Sequence, residues 1–171
     1  VASTTGYASS DYLGWPVFAP VLMLMLSGVA TSAGSTGGGI KMVRMLILLK
    51  QAQRELTRLV HPNAVQPVRL GGRVVGSPMI FSVLAFMLVY AATLLLLSMV
   101  LLLTDLDPVT AFSAVMASLH CTGPGLGAIG PTSTYAVLTD FQVWVCTLAM
   151  VLGRLEILSF LALLTPAFWR R

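Results

Sequence analysis

The sequence predicts an all-α membrane protein made of repeated helix–pore loop–helix units. Three observations predict it. Hydrophobic residues form 57% of the 171 residues and charged residues only 9%, with a mean hydropathy of +0.90, a composition that excludes a soluble domain. The run Met79 to Leu103 carries no charge and is long enough to span a bilayer. A short helical stretch, Pro108 to Leu119, runs directly into the glycine-rich His120-Cys121-Thr122-Gly123-Pro124-Gly125-Leu126-Gly127.

Val1 to Tyr12 is polar and small, and contains Thr4-Thr5-Gly6-Tyr7. Tyr12, Trp15 and Pro16 resemble an interfacial belt that leads into a span. Val17 to Ala33 reads as an apolar helix with Pro20 near its start. Gly34, Gly37, Gly38 and Gly39 then break it, and a helix resumes near Ile40 with Lys41-Met42-Val43-Arg44. Broken helices of this kind are where transport proteins keep mobile or ion-binding backbone. Gln51 to Ser77 is polar and basic, with Pro62, Pro67 and Gly71-Gly72 as loop punctuation.

Met79 to Leu103 is the clear transmembrane helix, and Thr104 to Asp107 a tight acidic turn. Asp107 suits an N-cap and Pro108 the first helical position. Twelve residues, Pro108 to Leu119, reach only ~18 Å, short of a ~30 Å hydrocarbon core. The glycines after it cannot continue the helix, so the chain enters the membrane and returns as extended backbone. Phe141 to Trp169 is expected as a last long apolar helix, interrupted by Gly153-Arg154-Leu155-Glu156.

The net charge of +4 marks topology rather than a nucleic-acid face. Lys41, Arg44, Lys50, Arg54, Arg58, Arg69 and Arg73 lie between the first and second spans, and Arg170 and Arg171 follow the last. Thr104 to Asp140 has no Lys or Arg and carries Asp105, Asp107 and Asp140. The positive-inside rule puts the 41–77 loop and the C-terminus in the cytoplasm and both glycine-bearing loops outside. Cys121 and Cys146 say nothing firm about redox compartment, and His61 and His120 have no metal-ligand spacing.

Two units share one order: a Thr-Gly stretch, an outer polar turn, an inner helix. Thr4-Thr5-Gly6-Tyr7 precedes the 17–50 segment, and Cys121-Thr122-Gly123-Pro124 precedes 141–169. Two units cannot enclose a path and four could. The expectation is a fragment of a longer, potassium-channel-like protein, with residues 1–60 as the third repeat, 61–77 as a cytoplasmic linker and 78–171 as the fourth.

Bare backbone at membrane depth must be buried in protein or line a water-filled path. Glycine lets carbonyls turn toward one axis and replace the water shell of a cation. The candidate filter is Thr4, Thr5, Gly6 and Tyr7 with Cys121, Thr122, Gly123 and Pro124, a dehydrated cation meeting the carbonyls of Thr4, Thr5, Cys121 and Thr122. Gly123 is the favoured filter glycine and Gly125 the other choice. Gly34, Ser35, Thr36, Gly37, Gly38, Gly39 and Lys41 form a candidate gate, the alternative being a static kink. Arg154, near mid-membrane, must face protein or water. It is either a barrier to cations or a structural arginine, and on a continuous helix it could not pair with Glu156 along one face. Gly125-Leu126-Gly127-Ala128-Ile129-Gly130 matches a dinucleotide fingerprint literally but follows a helix rather than a strand, and is rejected. No nucleophile–base pair supports an enzyme, and no cofactor is implied.

Thr4-Thr5-Gly6-Tyr7, Gly34-Ser35-Thr36-Gly37-Gly38-Gly39-Ile40-Lys41 and Gly153-Arg154-Leu155-Glu156, in this order, resemble the bacterial Trk-type potassium uptake proteins of the Trk/Ktr/HKT superfamily. The resemblance implies a homodimeric, multi-pass inner-membrane protein with a potassium path in each subunit and a cytoplasmic nucleotide-binding regulatory subunit. It also implies that 34–41 is an intramembrane loop obstructing the pore, with Arg154 projecting into it. The competing reading is a secondary transporter of another broken-helix class with a midplane site, which would need inverted repeats.

Overall fold

The structure, a computed structural model, describes residues 1–16, 18–32, 34, 37–62 and 66–169. Ser35 and Thr36 of the candidate gate, and the C-terminal Arg170 and Arg171, lie outside the described residues. Helices dominate, as the composition predicts. A 3-10 turn, Tyr12–Gly14, is capped by Asp11, whose Oδ1 accepts from the Leu13 N–H at 2.9 Å. It leads to α1 (Phe18–Val29), which ends earlier than the expected Ala33. α2 (Met42–Val60) follows the glycine break.

A two-residue hairpin, β1 (Arg69–Leu70) against β2 (Arg73–Val74), turns through Gly71 and Gly72, both with positive φ. The sequence reading treated this stretch as loop. Two glycines between short β-tolerant pairs are the signal it passed over. α3 (Ser77–Leu102) has 26 residues, or ~39 Å of helix, enough to cross a bilayer.

α4 (Pro108–Leu119) has the predicted bounds, with Asp107 Oδ2 accepting from the Thr110 N–H at 3.2 Å. It is almost wholly buried; Ala111, Ala114, Val115, Ala117 and Leu119 have no exposed surface. Small residues along α4 let α3 and α5 (Asp140–Arg154) approach it closely from either side. Leu101, Leu119, Ile129 and Cys146 close the core between them.

The last segment is not one interrupted helix. α5 stops at Arg154, and α6 (Ile157–Leu164) leaves at 101° to it, followed by the short α7 (Pro166–Trp169). The Leu155 N–H still donates to Val151 O at 3.0 Å, and Glu156 then takes a φ of +57°, which a continuous helix does not allow. Among the described residues one helix is long and apolar enough to cross a membrane, or two if the bent α5–α6 pair counts as one span.

Candidate ion pathway

The stretch after α4 is shaped by backbone bonds that unwind the helix and by side chains that hold the loop back. The Cys121 N–H donates to Ser118 O at 3.0 Å and the Thr122 N–H to Ala117 O at 2.9 Å. Ser113 Oγ accepts the Leu126 N–H at 3.0 Å, and Thr110 Oγ1 accepts the Ala128 N–H at 3.2 Å. Tyr135 Oη donates to Gly123 O at 2.7 Å and Tyr12 Oη to Gly125 O at 3.0 Å. The Tyr135 phenol is in the loop between α4 and α5, and its burial pushes it up to about 12, so it stays a donor at neutral pH.

The backbone of the two candidate filter stretches follows one pattern. Thr4 and Gly6 have φ of +57° and +81°, and Cys121 and Gly123 have +54° and +95°. Thr5 and Thr122, between them, are not in the left-handed region. Gly123, and not Gly125, repeats the conformation of Gly6. The stretches also touch: a methyl on Gly6 would fall 2.6 Å from Thr122 O. The structure therefore brings 4–7 and 121–124 together.

Residues 37–39 lie against Thr4 of the first stretch and against the end of α4, just before the second. A methyl on Gly37 would come 3.3 Å from Thr4 Oγ1, and one on Gly38 would come 2.6 Å from Leu119 O and 3.1 Å from His120 O. The loop is pinned to the end of α1 by the Ile40 N–H to Gly28 O at 2.8 Å and the Met42 N–H to Thr31 O at 3.0 Å. Gly153 of α5 meets Leu119 O so closely that a side chain there would displace the end of α4. Gly34, by contrast, has open space around it.

Beside the loop lies a cavity of about 280 Å³, lined in part by Gly37, Lys41, Arg44, Arg154 and Glu156. Lys41 Nζ meets Glu156 Oε1 at 2.7 Å and Arg44 Nη2 meets Glu156 Oε2 at 3.3 Å. Arg44 also stacks over the Phe86 ring, 3.9 Å from its centroid. Arg154 is exposed at the end of α5 and borders this cavity. The helical argument that kept Arg154 and Glu156 apart does not apply, because the chain bends between them. No group of His, Cys, Asp and Glu among the described residues could hold a metal ion.

A model of the TrkH cation transport protein family matches residues 1–170. The chain belongs to the TrkH family. The Trk system potassium uptake protein TrkH of Vibrio parahaemolyticus is 41% identical over 170 residues, covering 99% of this chain and 35% of the relative. TrkH of Salmonella typhimurium is 39% identical over the same share, and TrkG of Escherichia coli is 38% identical over 165 residues. The crystal structure of the potassium transporter TrkH from Vibrio parahaemolyticus superposes with a TM-score of 0.89 at 40% identity, covering 99% of this chain and 36% of that one. The chain spans about a third of the length of these TrkH relatives.

Two features of this TrkH-family chain were not singled out from sequence. One is Glu156 as the partner of Lys41 and Arg44. The signal was available: opposite charges at the breaks of two largely apolar segments call for one another. The other is a buried polar chain through Ser27, His120 and Tyr90. A histidine at the end of an apolar helix hints at it, but its partners lie on two other helices.

Proposed function

We propose that this chain is part of a potassium transporter that conducts through a filter of backbone carbonyls and is gated by an intramembrane loop. The carrying observation is the matched alternation of φ at Thr4-Thr5-Gly6 and Cys121-Thr122-Gly123, with the two stretches in contact. In an ordinary strand successive carbonyls point to opposite sides; alternating left- and right-handed residues turn them to a common side. Oxygens on one side are what a dehydrated cation needs. The names of the relatives support potassium as that cation.

Thr4, Thr5, Cys121 and Thr122 offer the carbonyls; Gly6 and Gly123 permit the backbone, and Tyr7 and Pro124 close each stretch. Residues 37–41 obstruct the path there, since Gly37 and Gly38 lie against Thr4 and the end of α4. Arg154 and Lys41 make the adjoining cavity unfavourable for a cation until the loop moves. The protein is a transporter rather than an enzyme, multi-pass in the bacterial inner membrane. Both filter stretches face outward, with 41–77 in the cytoplasm. Residues 1–60 act as the third of four repeats and 78–171 as the fourth, joined by 61–77. A homodimer with a cytoplasmic nucleotide-binding subunit completes the assembly. Support for docking comes from the C-terminal part of α2, which exposes Leu56, Leu59 and Val60 beside Arg58.

Full-length protein reconstituted in liposomes tests this. Wild type should carry potassium, and Gly123→Ala should abolish flux while the protein still elutes as a folded dimer, because alanine resists φ near +95°. Undiminished flux in folded Gly6→Ala and Gly123→Ala variants would reject the carbonyl filter.

A further inference from the structure

His120 is the last residue before the left-handed turn at Cys121, and its side chain has no exposed surface. Ser27 of α1 is equally buried and Tyr90 of α3 nearly so. Ser27 Oγ lies 2.6 Å from Leu24 O and 2.8 Å from His120 Nδ1. A hydroxyl has one proton, and a carbonyl can only accept, so Ser27 donates to Leu24 and accepts from Nδ1–H. The other ring nitrogen, Nε2, then accepts from the Tyr90 hydroxyl. The chain runs in one direction, Tyr90 to His120 to Ser27 to Leu24, with every proton used once. The Tyr90 and His120 rings lie within 2° of parallel. Gly28 leaves room for the imidazole: a methyl there would fall 2.9 Å from His120 Cε1.

The imidazole thus ties α1 and α3 to the end of α4, while the backbone carbonyl of the same residue faces Gly38 of the loop. We infer that His120 is a positioning residue for the filter. Held between Tyr90 and Ser27, it fixes where the chain leaves α4 and so where the Cys121 and Thr122 carbonyls stand. This rests on the carbonyl filter proposed above. It adds that discrimination between monovalent cations depends on side chains no ion touches. A filter selects by the spacing and rigidity of its oxygens. Loosening the residue before it therefore costs selectivity before it costs conduction.

Potassium and sodium fluxes through full-length protein in liposomes provide the test, with Tyr90→Phe and Ser27→Ala, each of which removes a single hydroxyl. A buried ring nitrogen left without its partner is destabilising, and the potassium-to-sodium flux ratio should fall roughly tenfold in each variant. Potassium flux itself should change much less, and the double variant should lose less than the product of the two. Ratios equal to wild type in folded variants overturn the inference while leaving the filter intact. So does a wild type that conducts both cations alike. Absence of any potassium flux in wild type overturns the filter reading itself. A second measurement holds even if the variants fail to fold. Nitrogen-15 histidine spectra of the wild-type protein, with His120 assigned through labelling of the Leu119–His120 peptide bond, should show His120 protonated on Nδ1 alone near neutral pH. An Nε2–H tautomer would refute the chain.

Discussion

Glu156→Gln is the sharpest perturbation of the junction between the two halves of the chain. Gln keeps the shape but removes the charge that meets Lys41 at 2.7 Å and Arg44 at 3.3 Å. At 2.7 Å and an effective dielectric of ~20, two unit charges attract by ~6 kcal/mol. The Glu156 side chain is 40% exposed, against 19% for Lys41, so solvent screening and rotamer ordering remove most of that. A net ~1–2 kcal/mol remains, in the range of a charge-assisted hydrogen bond. If the pair is made only while the loop obstructs the path, losing it shifts the closed–open balance by about 5–30-fold. Liposomes holding the full-length variant should leak potassium faster than wild type by that order, with unchanged cation preference. A double-mutant cycle of Lys41→Ala and Glu156→Ala measures the coupling directly. Leak equal to wild type, with zero coupling in folded protein, would show that the pair plays no part in holding the loop.

The remaining expectations concern the loop, the outer turn and the cap. Gly38→Ala places a methyl 2.6 Å from Leu119 O; displacing the loop should cost about 1–3 kcal/mol and raise basal leak, read as resting flux and melting temperature. Tyr135→Phe removes the 2.7 Å bond to Gly123 O, and should lower potassium flux while costing about 1 kcal/mol of stability near neutral pH. Because burial raises the Tyr135 phenol from 10 to about 12, the folded state holds that proton more tightly than the unfolded chain. Its contribution to stability is therefore complete below pH 10 and falls as pH climbs toward 12, which a pH series of thermal melts with and without Tyr135→Phe would reveal. Asp107→Ala removes the cap of α4 and should lower stability by ~1 kcal/mol, read as the denaturation midpoint in detergent.

Legibility in the sequence followed the range of the interaction. α4 was readable to the residue, because an Asp-Pro start and a glycine stop are local chemistry and nothing distant overrides them. α3 was readable from length and lack of charge alone. The likeness of Thr4-Thr5-Gly6 to Cys121-Thr122-Gly123 was visible in letters and returns as matched φ values. What stayed hidden depends on direction. Gly153-Arg154-Leu155-Glu156 looked like a blemish in one long helix, because one glycine and two charges do not say which way the chain turns. The 101° bend brings Glu156 against Lys41 and Arg44, which stand more than a hundred residues earlier. The Ser27–His120–Tyr90 chain was hidden for the same reason: three ordinary residues become a unit only once three helices converge.

The restart points of the two broken segments have a consequence for symmetry. α2 begins after Lys41, with φ +67°, and α6 after Glu156, with φ +57°, so the same backbone device serves both. Had the two copies stayed identical, this junction would set like charges face to face and drive the segments apart. Attraction across it requires that the matched positions differ in sign, basic at Lys41 and acidic at Glu156. The likeness of the copies supplies the architecture, and their divergence at a single matched position supplies the force that closes it.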